Sequence, residues 1–338
     1  MNDSTDQTIS DALREKLRGK RVLVTGGCGF IGSHIVDAVA PFADVCVFDD
    51  LSTGSQSRLP QNVELQRGTV LDEAALVRAC KGIEMVIHTA ALVSVPRSVE
   101  MPREYHDVNA TGTLNVMTAA RQQGVGRVVY SASSSAYGDA PQLPKVETMP
   151  DLPRSPYAAS KLAGELYLRS FASCYDIDGV SLRYFNIFGP RQAADSAYSG
   201  VIAAFAKRLL TGHRPIIYGD GSASRDFTYV ANVVRANVLA AVRDQPFRGQ
   251  VINVATGRSY TVLELAHKMA GLIGSTAATS VDLTPDLRPA RTGDVPHSLA
   301  DLTIAREALG YEVAVEFEKG LTHTIGWYRE QFASQTAT

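Results

Sequence analysis

The sequence predicts an α/β fold in which a doubly wound parallel sheet precedes a smaller C-terminal α/β lobe. Short runs of apolar, β-branched residues recur without alternating polar positions, which is typical of strands covered on both faces. Segments with helical spacing separate these runs, and this alternation indicates parallel strands joined by crossover helices. After about residue 186 this regular alternation of strands and helices ends. A loop rich in small residues follows and leads into shorter strands.

The first half of the chain contains the predicted sheet. Ser10 precedes an amphipathic segment at 11–17, which predicts a short capped helix that ends at Gly19. The predicted strands lie at 21–25, 45–48, 63–66, 85–88, 127–131 and 179–184. The predicted helices between them lie at 31–40, 72–80 and 105–122.

The second half predicts the smaller lobe. Its predicted helices lie at 201–210, 231–243, 262–270 and 317–331, and its predicted strands at 215–218 and 250–254. We therefore expect an N-terminal extension with a short helix (1–18), a sheet domain (19–185) and a second lobe (186–338) interleaved with the sheet domain.

Composition excludes several classes of function. The net charge of −2 gives no basic surface for nucleic acid, and no apolar run approaches the roughly 20 residues of a membrane span. The polar start of the chain lacks a signal-peptide pattern, so we expect a cytoplasmic protein. The cysteines are scattered and no two histidines have metal-binding spacing, which predicts buried thiols in a reducing compartment and no metal site. The cysteines are Cys28, Cys46, Cys80 and Cys174.

Three glycines follow the first predicted strand and open the next helix. Gly26 permits a tight turn, Gly29 lets backbone approach a pyrophosphate, and Gly32 lets the helix pack on the strand. The helix N-terminus then presents unpaired N–H groups and a partial positive charge to the phosphates. This spacing predicts a dinucleotide site in a Rossmann-type domain at 19–185.

The second predicted strand ends in two carboxylates, about twenty residues beyond the glycines. Asp49 is the better candidate for binding the adenosine ribose hydroxyls, and Asp50 fits a solvated strand end equally well. A carboxylate at this place repels a 2′-phosphate, which favours NAD over NADP. Three further residues are expected to complete the adenosine pocket, namely Ser52, Thr53 and Gly54.

A tyrosine and a lysine four residues apart indicate proton chemistry on an alcohol. Tyr157 and Lys161 share one face of a predicted helix, and Ser133 ends the fifth predicted strand, where ligands bind in open α/β sheets. A free tyrosine has a pKa of about 10. We expect the neighbouring ammonium, together with an oxidised nicotinamide, to lower the pKa of Tyr157 enough to make it a base.

Further motifs extend these patterns over nearly the whole chain. They lie at 25–32 (TGGCGFIG), at Asn109 with 111–113, and at 131–138, 157–161, 182–186, 219–221, 224–227 and 291–294. With these residues the chain resembles the extended short-chain dehydrogenase/reductase family and, within it, the nucleotide-sugar 4-epimerases, most of all those acting on UDP-N-acetylglucosamine.

The resemblance implies roles for individual residues. Ser133, Tyr157 and Lys161 would form the catalytic trio. Besides the residues already named and this Tyr and Lys, the cofactor would contact Phe30, Ile31, Thr69, Val70, Ala90, Ala91, Val93, Asn109, Ser131 and Tyr184. Besides Ser133 and Tyr157, the substrate would contact Asn186, Val201, Tyr218, Arg225, Arg291, Asp294 and Ser298. Thr69 departs from the acid that many relatives have at its position, so a hydroxyl would make the contact to the adenine amino group.

The residues themselves also support two of these substrate contacts. Arg225 and Arg291 each lie near glycines and an aspartate in a nearly neutral protein, which suits phosphate recognition. An intramolecular salt bridge is the alternative for either arginine.

The resemblance also narrows the reaction. Dehydratases and decarboxylases of the family carry acids after the residue that matches Ser133, whereas this chain has Ser134 and Ser135. The implied reaction is therefore 4-epimerisation of a UDP-hexose, in which C4 is oxidised by bound NAD and the 4-keto sugar turns before it is reduced. A dehydratase or reductase of the family remains an alternative. A non-catalytic NAD sensor is another, although such proteins lose the Tyr or Lys.

The resemblance favours UDP-N-acetylglucosamine and UDP-N-acetylgalactosamine as substrates, with UDP-glucose and UDP-galactose as further candidates. Ser298 stands where relatives restricted to glucose and galactose carry a large aromatic residue, so it leaves room for an acetamido group. UDP-glucuronate is the rival substrate, although those relatives usually have Thr at the position of Asn186. The lobe at 186–338 would then be mainly substrate-binding, and the expected assembly is a homodimer.

Overall fold

The computed structural model describes residues 9–194, 200–274, 284–289 and 295–336. Numbered along the chain, the strands are β1 (Arg21–Thr25), β2 (Asp44–Asp49), β3 (Glu64–Arg67), β4 (Met85–His88), β5 (Arg127–Ser133), β6 (Asp178–Tyr184), β7 (Ile187–Phe188), β8 (Ile216–Tyr218), β9 (Ser224–Arg225), β10 (Thr228–Tyr229), β11 (Gln250–Val254), β12 (Tyr260–Thr261) and β13 (Asp286–Arg288).

The helices are named in the same way. They are α1 (Asp11–Leu17), α2 (Phe30–Val39), α3 (Glu73–Ala79), α4 (Val95–Glu100), α5 (Pro102–His106), α6 (Gly112–Gln122), α7 (Pro156–Cys174), α8 (Val201–Leu210), α9 (Val230–Ala241), α10 (Val262–Gly274), α11 (Thr303–Leu309) and α12 (Phe317–Thr336). A π-helical turn at Asp107–Thr111 joins α5 to α6, and short 3₁₀ turns occur at Gln56–Arg58 and Ser134–Tyr137.

The central sheet has seven parallel strands in the order β11-β6-β5-β4-β1-β2-β3. The chain runs outward from β1 through β2 to β3, then crosses over to β4 on the other side of β1. The order therefore reverses between β1 and β4, and the crevice at their carboxyl ends is the usual ligand site of such sheets. The predicted doubly wound parallel sheet is confirmed.

The strand at 250–254 has a different place from the one expected. The sequence pattern places it in the second lobe, but as β11 it forms an edge of the central sheet, where Ile252 pairs with Leu182 of β6. Its residues Ile252 and Val254 are fully buried, so the chain returns to the main core after residue 186. Helix α9 also returns there, because it packs against α2 and places Val233 in the same apolar cluster as Ile35.

A separate apolar cluster holds the rest of the second half together. Helices α8, α10 and α12 contribute Phe205, Met269 and Leu321 to it. Phe188 contacts both Phe227 and Phe317 edge-on, which ties β7 and the segment after β9 to α12. This cluster supports the segments that carry the predicted substrate-binding residues.

Several local predictions need correction. The helix expected at 105–122 is interrupted by the π-helical turn, and α4 and α11 were not predicted. Ser10 occupies the N-cap position of α1, yet its side chain makes no capping hydrogen bond, and the buried Leu17 anchors the helix instead. Cys174 is exposed, whereas the other three cysteines are buried. Among the described residues, no helix has both the length and the apolar character that crossing a membrane requires.

Candidate active site

The loop between β1 and α2 is shaped by glycines that no larger residue could replace. Gly26 has φ +70°, and a Cβ atom on it would lie 2.6 Å from the backbone nitrogen of Ala90. A Cβ atom on Gly32 would lie 2.2 Å from the carbonyl oxygen of Gly26. Gly29 is the N-cap of α2, so the bare N-terminus of this helix faces the crevice. This geometry fits the diphosphate of a dinucleotide.

Asp49 ties the end of β2 to the glycine loop. Its carboxylate is only 8% exposed and accepts hydrogen bonds from the backbone N–H groups of Cys28 (2.9 Å) and Leu51 (2.8 Å). Asp50 is exposed and accepts from the N–H of Ser52 at 2.8 Å, which stabilises the following turn. Asp49 therefore stands beside the loop that would hold the dinucleotide, whereas Asp50 faces solvent.

The remaining residues of the predicted adenosine pocket surround this loop. Ser52 and Thr53 are exposed, and Gly54 lies against Cys28 so closely that a Cβ atom would come within 2.6 Å of its carbonyl oxygen. On the far side of β2, Thr69 accepts from the N–H of Leu71 at 3.4 Å, and Val70 is buried. Phe30 and Ile31 begin α2.

Asn109 supports the loop that follows β4. Its side-chain oxygen accepts from the N–H of Leu92 at 2.8 Å, and its amide donates to the Leu92 carbonyl at 3.0 Å and to Ser160 Oγ at 3.1 Å. It thereby fixes the loop that carries three predicted cofactor contacts, the half-buried Ala90 and Ala91 and the exposed Val93. Asn109 itself is buried in the π-helical turn, a feature common at functional sites.

The two remaining cofactor predictions lie behind the site. Ser131 in β5 and Tyr184 in β6 are both buried, and their hydroxyl groups are 3.1 Å apart. Tyr184 also hydrogen-bonds Asn237 of α9. These side chains therefore connect β5, β6 and α9 within the core.

Helix α7 begins with residues that fix Tyr157 in its first turn. Ser155 is the N-cap and accepts from the N–H of Ala158 at 3.1 Å, and Pro156 occupies the first position, where its missing N–H costs nothing. Ser160 donates to the Tyr157 carbonyl at 2.9 Å while its hydroxyl receives the Asn109 amide. The edge-to-face contact of Tyr105 with Tyr157, with ring centroids 6.4 Å apart, orients the tyrosine ring.

Ser133 and Tyr157 meet at the carboxyl end of β5. Ser133 Oγ accepts from the hydroxyl of Ser135 at 2.9 Å and from its N–H at 3.2 Å. Because Ser135 donates to this oxygen, the proton of Ser133 is free to point toward the Tyr157 oxygen, and Ser133 acts to lower the pKa of Tyr157. Ser135 was not predicted as a site residue, since nothing in its local pattern distinguishes it from its neighbours.

Burial controls the ionisation of this pair. It raises the pKa of Tyr157, although Ser133 acts in the opposite direction. It lowers the pKa of Lys161, which is only 4% exposed, to about 7. The Lys161 ammonium lies 4.4 Å from the ring centroid of Tyr130. In the protein alone, burial is therefore the main influence on both pKa values. The lowering of the Tyr157 pKa by Lys161 together with an oxidised nicotinamide stays a prediction.

His88 is a buried, uncharged side chain near Lys161. Its Nδ1 lies 2.6 Å from Thr25 Oγ1 and its Nε2 lies 3.0 Å from Thr113 Oγ1. Because the Thr113 hydroxyl donates to the Asn109 carbonyl, Nε2 carries the ring proton and Nδ1 accepts from Thr25. Burial and the charge of Lys161 lower the pKa of His88 to about 3, so the ring stays uncharged at neutral pH.

Two predicted substrate residues meet on the side of the second lobe. The Asn186 amide donates to the Asp226 carbonyl and to Ser298 Oγ, each at 3.2 Å. Ser298 is held by its N–H bond to the Ser224 carbonyl at 3.0 Å. Arg225 donates to the Ser224 carbonyl at 2.9 Å and to the Pro296 carbonyl at 3.1 Å.

The other predicted substrate residues are more widely spaced. Val201 begins α8, and Tyr218 ends β8 with its side chain exposed. Arg291 and Asp294 lie outside the described residues. Their predicted contacts with the substrate therefore stay predictions.

Asp226 holds the segment around Ser298 in place, a role that the sequence did not reveal. Its fully buried carboxylate accepts from the Thr256 hydroxyl (2.7 Å), from the N–H groups of Thr256 and Gly257 (2.9 Å each) and from the N–H of Ala300 (3.3 Å). It thereby fixes the segment that carries Ser298. Its only sequence signal is its place in the motif at 224–227, directly after Arg225.

Comparison with known proteins agrees with this geometry. The model of the NAD dependent epimerase/dehydratase family matches residues 22–255. A UDP-glucose 4-epimerase of Mycolicibacterium smegmatis is 38% identical over 92% of this chain and 99% of its own length. A mouse dTDP-D-glucose 4,6-dehydratase is 31% identical over 96% of this chain and 94% of its own length.

Among solved structures, a UDP-N-acetylglucosamine 4-epimerase of Methanobrevibacter ruminantium, in complex with UDP-N-acetylmuramic acid, superposes with a TM-score of 0.87. It is 39% identical, and the match covers 93% of this chain and 99% of that one.

Proposed function

This chain belongs to the NAD-dependent epimerase/dehydratase family, and we propose that it inverts the configuration at C4 of a UDP-hexose. NAD is the cofactor of this family. The glycine loop, the open N-terminus of α2 and the Asp49 carboxylate suit that cofactor. The enzyme would therefore be an isomerase that uses bound NAD and regenerates it in every cycle.

The observation that carries this proposal is the group of hydroxyls at the carboxyl end of β5. Ser133 lies close enough to Tyr157 to act on its pKa, and the two residues after Ser133 are Ser134 and Ser135. A dehydratase needs an acid and a base to remove water from a 4-keto sugar, and serine hydroxyls are too weakly acidic for that task at neutral pH. This favours a cycle of oxidation and reduction at C4 without elimination.

Each residue of the trio has a task in this cycle. Tyr157 takes the proton of the C4 hydroxyl and returns it, and Ser133 holds that hydroxyl and the tyrosine oxygen in line. NAD, when bound, would supply the hydride acceptor and donor and a further positive charge. Lys161 lies one helical turn from Tyr157 in α7, where its ammonium would stabilise the tyrosine anion.

We infer the preferred substrate from Ser298. Its hydroxymethyl side chain is hydrogen-bonded to Asn186, a predicted substrate contact, so it faces the same part of the crevice. A serine there leaves space beside the sugar for an acetamido group. We therefore infer that UDP-N-acetylglucosamine and UDP-N-acetylgalactosamine are the preferred pair, and UDP-glucose and UDP-galactose a second pair.

Incubation of the purified enzyme with each of these four UDP-sugars, followed by separation of the epimers, tests the proposal. We expect both N-acetylated sugars to approach the same equilibrium mixture from opposite sides. A product that has lost water, or no conversion of any of the four sugars, would refute the proposed reaction. Conversion of the glucose pair alone would refute only the substrate preference.

A further inference from the structure

Arg58 lies on the glycine loop although no motif includes it. It ends the 3₁₀ turn at Gln56–Arg58 and donates from Nη1 to the carbonyl oxygen of Cys28 at 3.2 Å. Cys28 directly precedes Gly29, the N-cap of α2. The guanidinium is therefore attached to the peptide next to the helix N-terminus that would receive the cofactor.

Most of the hydrogen-bonding capacity of Arg58 is unused. A guanidinium has five N–H donors, and within the described part of the chain Arg58 makes one side-chain hydrogen bond. Asp49 is close enough for its charge to act on Arg58, but its carboxylate already accepts from Cys28 and Leu51. The remaining donors are free to bind another acceptor.

A second arginine adds positive charge from the second half of the chain. Arg191 forms a salt bridge with Asp37 of α2 at 2.7 Å, while its other terminal nitrogen is buried without a hydrogen-bond partner. Its backbone has φ +69°, which is uncommon for arginine, so the surrounding structure holds it in place. His34 of α2 lies in the field of both arginines.

The positive charges of Arg58 and Arg191 repel each other when no ligand is bound. Burial and then the charge of Arg191 lower the pKa of Arg58. Asp37 pairs with Arg191 and the charge of Asp49 acts on Arg58, so the two carboxylates balance the two cations but leave most of the Arg58 donors unused. An anion with several oxygens would relieve this repulsion and satisfy the free donors.

We propose that Arg58 is a cofactor-binding residue whose guanidinium contacts the diphosphate of NAD, with Arg191 supplying a second positive charge. The backbone N–H groups of the glycine loop and the helix N-terminus would bind the diphosphate, and Arg58 would add a charged contact from its place beside Cys28. This role depends on NAD as cofactor and is independent of which sugar the enzyme converts.

A series of ligands separates a diphosphate contact from a general effect on the loop. Dissociation constants of adenosine, AMP, ADP-ribose and NAD are measured by calorimetry for the nucleotide-free wild type and for Arg58→Gln. We expect the variant to bind ADP-ribose and NAD about 10-fold more weakly or worse, since hydrogen bonds to charged groups are strong. Adenosine binding should not change.

Two further variants control this experiment. Arg21→Gln removes an arginine at the opposite end of β1, where it pairs with Asp44, and should bind all four ligands like the wild type. Arg58→Lys keeps the charge but loses the planar fork, so it should show the same selective loss at smaller size. It also provides the test if Arg58→Gln does not fold.

The proposal is overturned if the Arg58 variants bind NAD like the wild type. It is equally overturned if adenosine is weakened as much as NAD, because Arg58 would then only hold the loop through Cys28. Loss confined to the diphosphate-containing ligands supports it.

Discussion

At the scale of single residues, burial has more influence on the candidate active site than the charges within it. Tyr157 and Lys161 both have pKa values moved toward their neutral forms, because each has left water without a partner that compensates fully. The protein without ligands therefore contains a protonated tyrosine beside a lysine that has largely lost its preference for the charged form. Bound cofactor and substrate must complete the electrostatics before Tyr157 can act as a base.

Tyr157→Phe should reduce turnover by at least about 10²-fold, which is the usual contribution of a general base. The ring and its contact with Tyr105 remain, so folding and NAD binding should be preserved. Tyr167→Phe is the matched control, since Tyr167 is an exposed tyrosine on the same helix. This variant should keep the turnover of the wild type. Near wild-type turnover in the purified Tyr157→Phe variant would remove Tyr157 from the mechanism.

Lys161→Met should change how stability depends on pH. Between about 7 and 10.5, the unfolded lysine holds a proton that the folded one has released, so the free energy of unfolding of the wild type rises with pH. Relative to Lys161→Met, which lacks this proton, the wild type should gain up to about 5 kcal/mol across that window.

Urea denaturation of both nucleotide-free proteins at several pH values measures this difference. Below about pH 7 the difference should level off, because lysine is then protonated in both states. Parallel curves for the two proteins would show that burial does not depress the pKa of Lys161.

Ser298→Tyr should abolish conversion of the N-acetylated sugars and spare that of UDP-glucose and UDP-galactose. A tyrosine would fill the space beside Asn186, and overfilling a packed site typically costs about 1–3 kcal/mol. Ser298→Ala keeps the space and removes only the hydrogen bond, so it should convert both pairs. The measurement is kcat/KM for both pairs in all three proteins, and equal losses for both pairs in Ser298→Tyr would contradict the pocket assignment.

At the scale of secondary structure, local patterns predicted the elements better than their partners. The bounds predicted for β1, β4, α8 and β11 agree with the structure, because each is a continuous apolar or amphipathic run. The place of β11 was not predictable, since its pairing with β6 is set by packing across the sheet and not by its own sequence. The π-helical turn before α6 was also missed, because it depends on the contacts of Asn109 with distant segments.

Gly32→Ala tests whether the glycine loop needs its close approach. The added methyl group would lie 2.2 Å from the Gly26 carbonyl oxygen, so we expect a lower Tm and much weaker NAD binding. Gly271→Ala in α10 is the matched control, because a Cβ atom there has no neighbour within 4 Å. It should raise stability by up to about 1 kcal/mol and leave NAD binding unchanged. Retention of NAD by Gly32→Ala would contradict the loop geometry.

At the scale of the whole molecule, the candidate site lies where the central sheet meets segments from the second half of the chain. Glycine loop, β5 and α7 supply the predicted cofactor and proton-transfer residues, and Asn186 and Ser298 approach from the other side. Buried Arg183 in β6 binds Glu165 of α7 through two hydrogen bonds at 2.6 and 2.9 Å, which fixes the helix that carries Tyr157 on the sheet.

The sequence revealed those parts of the site that local motifs encode. The glycines, Asp49 and the Tyr157–Lys161 pair each depend on short spacings, so the amino-acid pattern alone is enough to recognise them. Arg58 and Tyr105 could not be found in that way, because each acts on a residue at least thirty positions away.

The most direct test of the central claim is the conversion of UDP-N-acetylglucosamine in deuterated water, followed by NMR of the sugar. The proposed cycle requires that the hydrogen at C4 never exchange with solvent and that the bound cofactor end each cycle unchanged. We predict UDP-N-acetylgalactosamine with protium at C4 and no stoichiometric accumulation of NADH. Deuterium from the solvent at C4 of the product would contradict the proposed cycle.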